Sequence, residues 1–385
     1  MNRIVWNVGE QFSSIFERLI NFIHKNFGFS VIVVFDGYRR LGSKSFERIR
    51  RSSFVVPSFD AVVEEDNFLT VTRDSFLGNS RNKQQFIDKF IRRLRALGIP
   101  YYEAEEDADA DIVRIAIYVA NNTHNSVVIV AEDIDILVLM VSLCPPDVDI
   151  FFYKMGPAVR INHPKIYSKN CLKPEFKNCK DYLLFLHAFT GCDTTSAFYG
   201  KGKIKFAKIL CSRNDIQAAA RIFQSKKNLQ RMKSRLYNAG LKCVLTLYGA
   251  PENIDCLNEW RYLQYLQKAQ KKTKINLARL PPTHSAAREH IKRVYYQVQA
   301  WQGRILSVPS RFGWWKQEPD VLVPVGTTLP ATTEFVLENI FCYCKPGGNC
   351  GKICRCLNKN LKCSKLCDCR CSKNLKTANF TVESH

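Results

Sequence analysis

The sequence predicts an α/β fold in which a parallel sheet is flanked by helices. Two short, unbroken runs of apolar and largely β-branched residues, VIVVF at 31–35 and VVIVA at 127–131, indicate strands that are buried on both faces. Segments with the apolar spacing of helices lie between and around these runs, at 11–23 and 84–97. Strands that alternate with helices are typical of doubly wound sheets with parallel strands.

The remaining elements follow from the same spacing rules. The predicted elements are a strand near 99–102, a helix through 112–119, a strand at 150–153, and helices at 181–193 and 286–301. Residues 196–242 contain twelve bases and one acid, Asp215, and predict a basic, largely helical region. The paired tryptophans at 314–315 and the run at 321–325 suggest irregular packing against the core.

The charge of the chain indicates a polyanionic partner. Its 385 residues include 57 Lys and Arg against 35 Asp and Glu, a formal net charge of +22. Such a balance is most often found in proteins that bind nucleic acid, and DNA is favoured here over RNA; a merely basic, soluble surface is the alternative. Residues 101–150 run against this trend with eleven acids and one base, Arg114. A divalent metal would explain such an acidic segment, and a solvated acidic face is the simpler explanation.

Other functional classes are disfavoured by what the sequence lacks. The first residues, MNRIVWNVGEQF, contain no apolar segment like that of a secretion signal, and no uncharged apolar run of about 18 residues occurs. We therefore expect an intracellular protein with no membrane contact. Of the 16 cysteines, nine fall within 342–371, which indicates metal binding. The seven scattered cysteines are expected to be reduced core residues.

Six aspartates follow predicted strands or end the helix beyond them. They are Asp36, Asp107, Asp109, Asp133, Asp135 and Asp193. Ligands of open α/β sheets bind beyond the carboxyl ends of the strands, so these carboxylates are expected to converge. Their mutual repulsion would require cations, and two Mg²⁺ or Mn²⁺ ions could drive phosphodiester hydrolysis. Each aspartate alone could instead be a helix cap or a turn residue.

Four motifs together resemble the flap endonuclease and XPG-type 5′-nuclease superfamily, which has a PIN-like fold. They are VVFDGY (33–38), DADADIVRIA (107–116), AEDIDILVL (131–139) and FTGCDTTSAFYGKGK (189–203), within a resemblance that spans roughly 1–215. The resemblance implies that the six aspartates bind the catalytic metals. It also implies nucleic-acid contacts from a basic helix and a glycine hairpin, here Lys44, Arg48, Arg51, Gly200, Lys201, Gly202 and Lys203. Residues 52–97 would fall where that family carries its arch or lid.

The chain also departs from this family. The family has a further metal-binding aspartate on a first strand, whereas residues 1–30 contain no Asp. Asp107 and Asp109 stand where the family has glutamates, and Lys201 stands where it has isoleucine. Two functions therefore remain open: a metal-dependent, structure-selective nuclease that acts on DNA, or a catalytically incomplete nuclease-like protein that binds nucleic acid as a scaffold.

The C-terminal cysteines form a dense, regularly spaced run. They are Cys342, Cys344, Cys350, Cys354, Cys356, Cys363, Cys367, Cys369 and Cys371. So compact a segment leaves little room for a hydrophobic core, so zinc is expected to hold it together. Nine thiolates can complete three tetrahedral Zn²⁺ sites if three of them bridge; a disulfide knot is the alternative. The second half resembles the tesmin/TSO1-type CXC domain, and related modules contact DNA, although a purely structural role is also open.

These observations predict four parts of the chain: a PIN-like domain at 1–195, a basic helical region at 196–250, a helical and irregular extension at 251–340, and a zinc-binding module at 341–375. A nuclear location is expected on the strength of the DNA interpretation alone. His187 lies on an apolar helix and is expected to be a packed core histidine.

Overall fold

The structure is a computed structural model. It describes residues 4–37, 44–52, 58–155, 165–226, 229–269, 276–304, 308–317 and 321–327, together with residues 344, 345, 350, 351, 354, 356, 357, 363 and 369. Two compact units are present, one formed by residues 1–232 and 290–325, the other by residues 233–289 and 326–385. The six candidate aspartates belong to the first unit and the cysteine run to the second. The predicted four-part division stays a prediction.

The fold is mixed α/β, as the alternating pattern predicted. The α-helices of the described residues are α1 (Phe12–Phe27), α2 (Ser45–Ser52), α3 (Arg73–Gly78), α4 (Ser80–Ala96), α5 (Asp109–Thr123), α6 (Ile134–Leu143), α7 (Leu183–Thr190), α8 (Lys203–Ser212), α9 (Asn214–Gln224), α10 (Leu229–Leu247), α11 (Leu257–Ala269) and α12 (His284–Trp301). The strands are β1 (Val33–Phe35), β2 (Tyr101–Glu103), β3 (Val127–Val130), β4 (Ile150–Lys154), β5 (Lys165–Ser168), β6 (Trp314–Gln317) and β7 (Val321–Pro324). In the same described parts of the chain, no helix combines the length and apolar character needed to cross a bilayer.

The strands pair in small sheets. β1 and β2 are parallel, with Phe35 opposite Glu103, and β3 and β4 are parallel, with Val127 opposite Ile150. β5 adds to β4 in the antiparallel direction. The expected parallel pairings are therefore present, but within the described residues these short strands are hydrogen-bonded as separate sheets. Both parallel pairs end at carboxyl ends from which candidate aspartates follow.

A hydrophobic core forms between α1 and α4. Their apolar faces meet through aromatic rings, with the centroid of Phe16 4.9 Å from that of Phe86 and 5.6 Å from that of Phe90. Each buried aromatic ring of this kind contributes about 1.5–3 kcal/mol relative to exposure. Asn79 caps α4 by accepting hydrogen bonds from the backbone N–H groups of Arg81 and Asn82. This core carries β1 and β2 on its flank.

A second part of the core surrounds α7, every residue of which is buried. Phe189 packs on Phe206 of α8 and Phe185 on Phe223 of α9, each pair with centroids 4.6 Å apart. The apolar sequence of α7 has no polar face because helices cover it on several sides. The loop that carries Asp193 follows directly from this rigid helix.

One disulfide corrects the expectation that the scattered cysteines are all reduced. Cys179 lies in a 3₁₀ helix, Pro174–Tyr182, and is bonded to Cys211 of α8. Packing of α8 on the 3₁₀ helix brings the two Cα atoms to 5.4 Å, within the usual range for a disulfide. Cys144, Cys171, Cys192 and Cys256 are not disulfide-bonded.

Residues 314–317 and 321–324 form regular structure, contrary to the expected irregular packing. β6 and β7 pair in an antiparallel ladder that sets Trp314 opposite Pro324. Trp314 is almost fully buried and Trp315 is exposed, so the two rings alternate across the strand as in any half-buried ladder. Arg293 of α12 holds this ladder by donating to the carbonyl oxygens of Gly313 and Val325 at 3.0 and 2.7 Å.

Candidate carboxylate site

Asp36 directly follows β1, and its side chain contacts the backbone at the start of α5. Its Oδ1 accepts a hydrogen bond of 3.2 Å from the backbone N–H of Ala108. Gly37 makes this approach possible, since a Cβ at that position would lie 2.1 Å from the carbonyl oxygen of Ala104. Any other residue would force the loops after β1 and β2 apart. The Asp-Gly pair is therefore explained by close backbone packing beside the site.

Three of the candidate carboxylates converge on one ammonium group. Lys44 Nζ lies 2.7 Å from Asp107 Oδ1, 2.6 Å from Asp109 Oδ2 and 3.8 Å from Asp193 Oδ2. Lys44 is 63 residues before Asp107 in the chain, so tertiary packing alone assembles the group. We call Lys44, Asp107, Asp109 and Asp193 the carboxylate group. A cation is thus held where three carboxylates meet.

The electrostatics of this group reflect both burial and charge crowding. Burial raises the pKa of Asp109 to about 7; Lys44 opposes the rise, while the negative charges of Asp107 and Asp133 add to it. Burial acts to lower the pKa of Lys44, but the charges of Asp107 and Asp109 outweigh it and hold that pKa above its usual value. The crowded carboxylates are therefore neutralised in two ways, by the Lys44 ammonium and by a proton on Asp109.

Asp133 and Asp135 lie at the N-terminus of α6. Asp133 caps the helix by accepting the backbone N–H of Asp135 at 2.9 Å. The Asp135 carboxylate faces the buried ring of His187, with Oδ1 2.9 Å from Nε2. Burial acts to raise the pKa of Asp135, but this contact and the charges of Lys44 and Lys203 outweigh it and keep it below its usual value. Asp135 is thus electrostatically linked to the carboxylate group.

The loop that carries Asp193 is fixed by its own hydrogen bonds. Gly191 adopts a positive φ of 109°, and a Cβ there would lie 2.8 Å from Ala197. Thr194 Oγ1 donates to Gln297 Oε1 of α12 at 2.7 Å, although the two residues are 103 positions apart. Both side chains are buried, so this hydrogen bond is shielded from water. Gln297 thereby ties α12 to the residue next to Asp193.

The predicted nucleic-acid contacts are placed only in part. Lys203 Nζ donates to the Gly191 carbonyl oxygen, so this ammonium holds the Asp193 loop. Gly200 has the positive φ, 67°, of a turn, and Gly202 directly precedes α8. Arg48 and Arg51 lie in α2, but their side chains fall outside the described part of the chain, so their contacts with nucleic acid stay predictions.

The six predicted aspartates therefore lie in one region, but not at mutual ligand distance. Among the described residues, sets of three potential ligand atoms within 4.8 Å of one another occur among cysteines.

Sequence reasoning missed two residues near the site, His187 and Gln297. The position of His187 four residues before the Asp193 loop was the available signal, whereas nothing in the sequence linked Gln297 to Thr194.

The cysteine run contains a second candidate metal site. Three sets have all sulfur atoms within 4.8 Å: Cys344, Cys350 and Cys354; Cys350, Cys363 and Cys369; and Cys354, Cys356 and Cys363. The sulfur atoms of Cys350 and Cys363 are 3.4 Å apart, and those of Cys354 and Cys363 are 3.8 Å apart. Thiolates are preferred zinc ligands, so this cluster could bind zinc. Cys342, Cys367 and Cys371 lie outside the described residues.

No protein-family model matches the chain, and no curated protein is significantly similar to it.

Proposed function

We propose that this chain is a metal-dependent, structure-selective nuclease with a PIN-like fold that hydrolyses phosphodiester bonds in DNA. The observation that supports the proposal most is the convergence of Asp107, Asp109 and Asp193 on the Lys44 ammonium. Carboxylates from separate segments, gathered beyond parallel strands around a positive charge, form an oxygen-rich setting suited to Mg²⁺ or Mn²⁺. The basic net charge of +22 supports a polyanionic substrate.

Binding of two divalent ions would require the six aspartates, all of which the structure describes, to draw closer together, because no three of their oxygen atoms lie within 4.8 Å of one another. Asp107, Asp109 and Asp193 would hold one side of the site, with Asp36, Asp133 and Asp135 on the other. When bound, the ions would activate a water molecule and stabilise the oxygens of the displacement. Lys44 would leave its place among the carboxylates, and its freed ammonium would then lie within reach of a DNA phosphate. Asp109 would release its proton as the ions bind, because a protonated carboxyl is a poor ligand.

A second candidate function is a nuclease-like protein that binds DNA without cutting it. Lys44 favours this alternative, because its ammonium already neutralises the carboxylates that a metal would need. The absence of an aspartate from residues 1–30 favours it too. In this case Lys44 would be a permanent structural cation, and the basic residues of 196–242 would provide the binding surface.

We also propose that the cysteine run holds three zinc ions. Cys350, Cys354 and Cys363 each belong to two of the three sulfur sets, so they would be the bridging thiolates. Cys344, Cys356 and Cys369 each belong to one set and would be terminal ligands. Each ion would then need one more thiolate, and the same run contains three more: Cys342, Cys367 and Cys371. The resulting module would contribute to DNA binding, in keeping with an intracellular and nuclear location.

The experiment that tests the main proposal is cleavage of end-labelled flap, nicked and single-stranded DNA in Mg²⁺, in Mn²⁺ and in a chelator. We expect cleavage that requires the ions and disappears in the Asp107→Asn/Asp109→Asn double variant. Asp111→Asn is the matched control, since Asp111 lies on the same helix but pairs with Arg114 at 2.8 Å. Salt-sensitive DNA binding without cleavage in any metal would support the second candidate and contradict the first.

A further inference from the structure

We propose that the open edge of β3 binds an extended segment of a partner protein, which adds to the sheet as a further strand. The partner segment would be apolar at alternate positions. It would carry a basic residue at the end that lies beside Glu132 and Asp133, the two residues that follow β3 and Ala131. The inference does not depend on the proposed nuclease activity, because it concerns backbone groups that no step of that activity uses.

The position of β3 in its sheet is the first observation. Among the described residues this sheet has the order β3–β4–β5, so β3 is an edge strand. The backbone N–H of Val127 points to the β4 side, where it donates to the carbonyl oxygen of Asp149 at 2.9 Å. Successive residues of a strand direct these groups to opposite sides, so the N–H and C=O groups of Val128 and Val130 point away from β4. They form a row to which another strand can bond.

The side chains of β3 are the second observation. Val128 and Val130 are 53% and 38% exposed, whereas Ile129 between them is 5% exposed. One face of the strand is therefore covered, and the other is open. Strands of parallel pairs with such a continuous apolar composition are normally buried on both faces. The sequence of β3 thus suits a strand with more neighbours than the described residues provide.

The opposite edge of the same sheet provides a contrast. β5 begins with Lys165, and Lys169 follows its last residue. Lysine on an edge strand is a common means by which natural sheets avoid pairing with other chains. The four residues of β3 are all apolar and carry no charge. An edge without such protection is the kind to which an extended peptide adds as a strand.

The chemistry of the edge points to a protein segment as the occupant. A row of backbone donors and acceptors is matched by another backbone, and apolar side chains of the added strand would pair with Val128 and Val130. Glu132 and Asp133 are exposed, so they would attract a basic residue and repel the phosphates of nucleic acid. A second copy of this chain fits less well, because a net charge of +22 opposes self-association.

The test begins with selection from a displayed library of random linear peptides on the full-length, zinc-loaded chain. We expect enriched peptides that alternate apolar and other residues and carry Lys or Arg at one end. Hydrogen exchange followed by NMR, with one such synthetic peptide added, should then slow at the amides of Val128 and Val130. The amides of Val127 and Ile129 point to β4 and should not change, so the unsubstituted chain contains its own control.

Two variants sharpen the test. Val130→Pro removes one N–H from the open edge without removing a hydrogen bond to β4, and should weaken peptide binding about tenfold. Val128→Lys gives the edge the protection that β5 has, and should also weaken binding. Ile166→Lys is the matched control, since Ile166 is an exposed aliphatic residue, at 66%, on the other edge strand of the same sheet. Thermal melting establishes that each variant folds.

Four results would overturn the inference. They are a library that enriches no such peptides, a peptide that binds without slowing exchange at Val128 and Val130, DNA that slows the same amides, and a chain that dimerises through β3 in sedimentation without peptide. The last two would assign the edge to a different occupant. None of the four bears on cleavage of DNA, so the proposed function would stand or fall separately.

Discussion

The carboxylate group and the cysteine run both bring anionic ligands close together, but they differ in what neutralises the negative charge. The carboxylates come from distant segments and converge on an ammonium supplied by the protein itself, Lys44 Nζ, 2.7 Å from Asp107. The described cysteines come from one short run, 344–369, and their sulfur atoms crowd together in overlapping sets. The first arrangement can fold without a metal. The second is expected to need one, because thiolates at such distances require a cation to remain deprotonated.

The largest predicted effect concerns the cysteine run. Cys354→Ser should release more zinc than Cys356→Ser, because Cys354 belongs to two sulfur sets and Cys356 to one. The two residues are a matched pair, since both are buried and they share a set. Elemental analysis of the purified variants should find about three ions per unsubstituted chain, about one after Cys354→Ser and about two after Cys356→Ser. Equal losses from the two variants would contradict the bridging assignment.

The aspartates of the site could be predicted from the sequence more directly than Lys44, which contacts them. The aspartates after VVF and VVIV follow strands, and strand ends are visible as changes in apolar pattern. The carboxyl ends of parallel strands meet by geometry, so their convergence was predictable. Lys44 was placed near the site only by resemblance, because the contacts across 63 residues depend on tertiary packing.

Other features were missed for identifiable physical reasons. The pairing of β6 with β7 was obscured by adjacent tryptophans and a proline, which break the alternating pattern of a strand. The pairing of Cys179 with Cys211 could not be deduced, because spacing alone does not fix which cysteines meet. The apolar run around His187 favoured the core interpretation, which is correct for its burial but silent on Asp135.

The next prediction concerns Gln297 of α12, which contacts the residue next to Asp193. Gln297→Leu should lower nuclease activity about tenfold, because it removes the acceptor that fixes Thr194 beside Asp193. Gln299→Leu is the matched control: Gln299 is also buried on α12 but donates to the Phe223 carbonyl oxygen at 2.6 Å. Both variants should lose about 1–3 kcal/mol of unfolding free energy. Only the first should lose activity, as measured by cleavage rate and thermal melting in parallel. Equal activity in the two variants would show that the Thr194 contact is merely structural.

A smaller effect should appear in the pH dependence of stability without metal. Burial raises the pKa of Asp109 to about 7 in the folded chain, above its ordinary value of 3.8. The folded state therefore holds this proton more tightly than the unfolded state. The contribution is complete at low pH and is lost as pH rises toward 7. Thermal melting in chelator should show a fall in stability between about pH 4 and 7 that Asp109→Asn flattens. An unchanged pH profile in that variant would contradict the assigned pKa.

The most direct test of the carboxylate site is Mn²⁺ binding to the Lys44→Met variant, measured by calorimetry. If the ammonium stands where a divalent ion binds, its removal takes a positive charge away from three carboxylates, and we expect Mn²⁺ to bind about tenfold more tightly than in the unsubstituted chain. Lys89→Met is the control, since Lys89 pairs with Glu64 away from the site. Absence of Mn²⁺ binding in both the unsubstituted chain and Lys44→Met would contradict the metal site, and would leave Lys44 as the permanent cation of a DNA-binding protein.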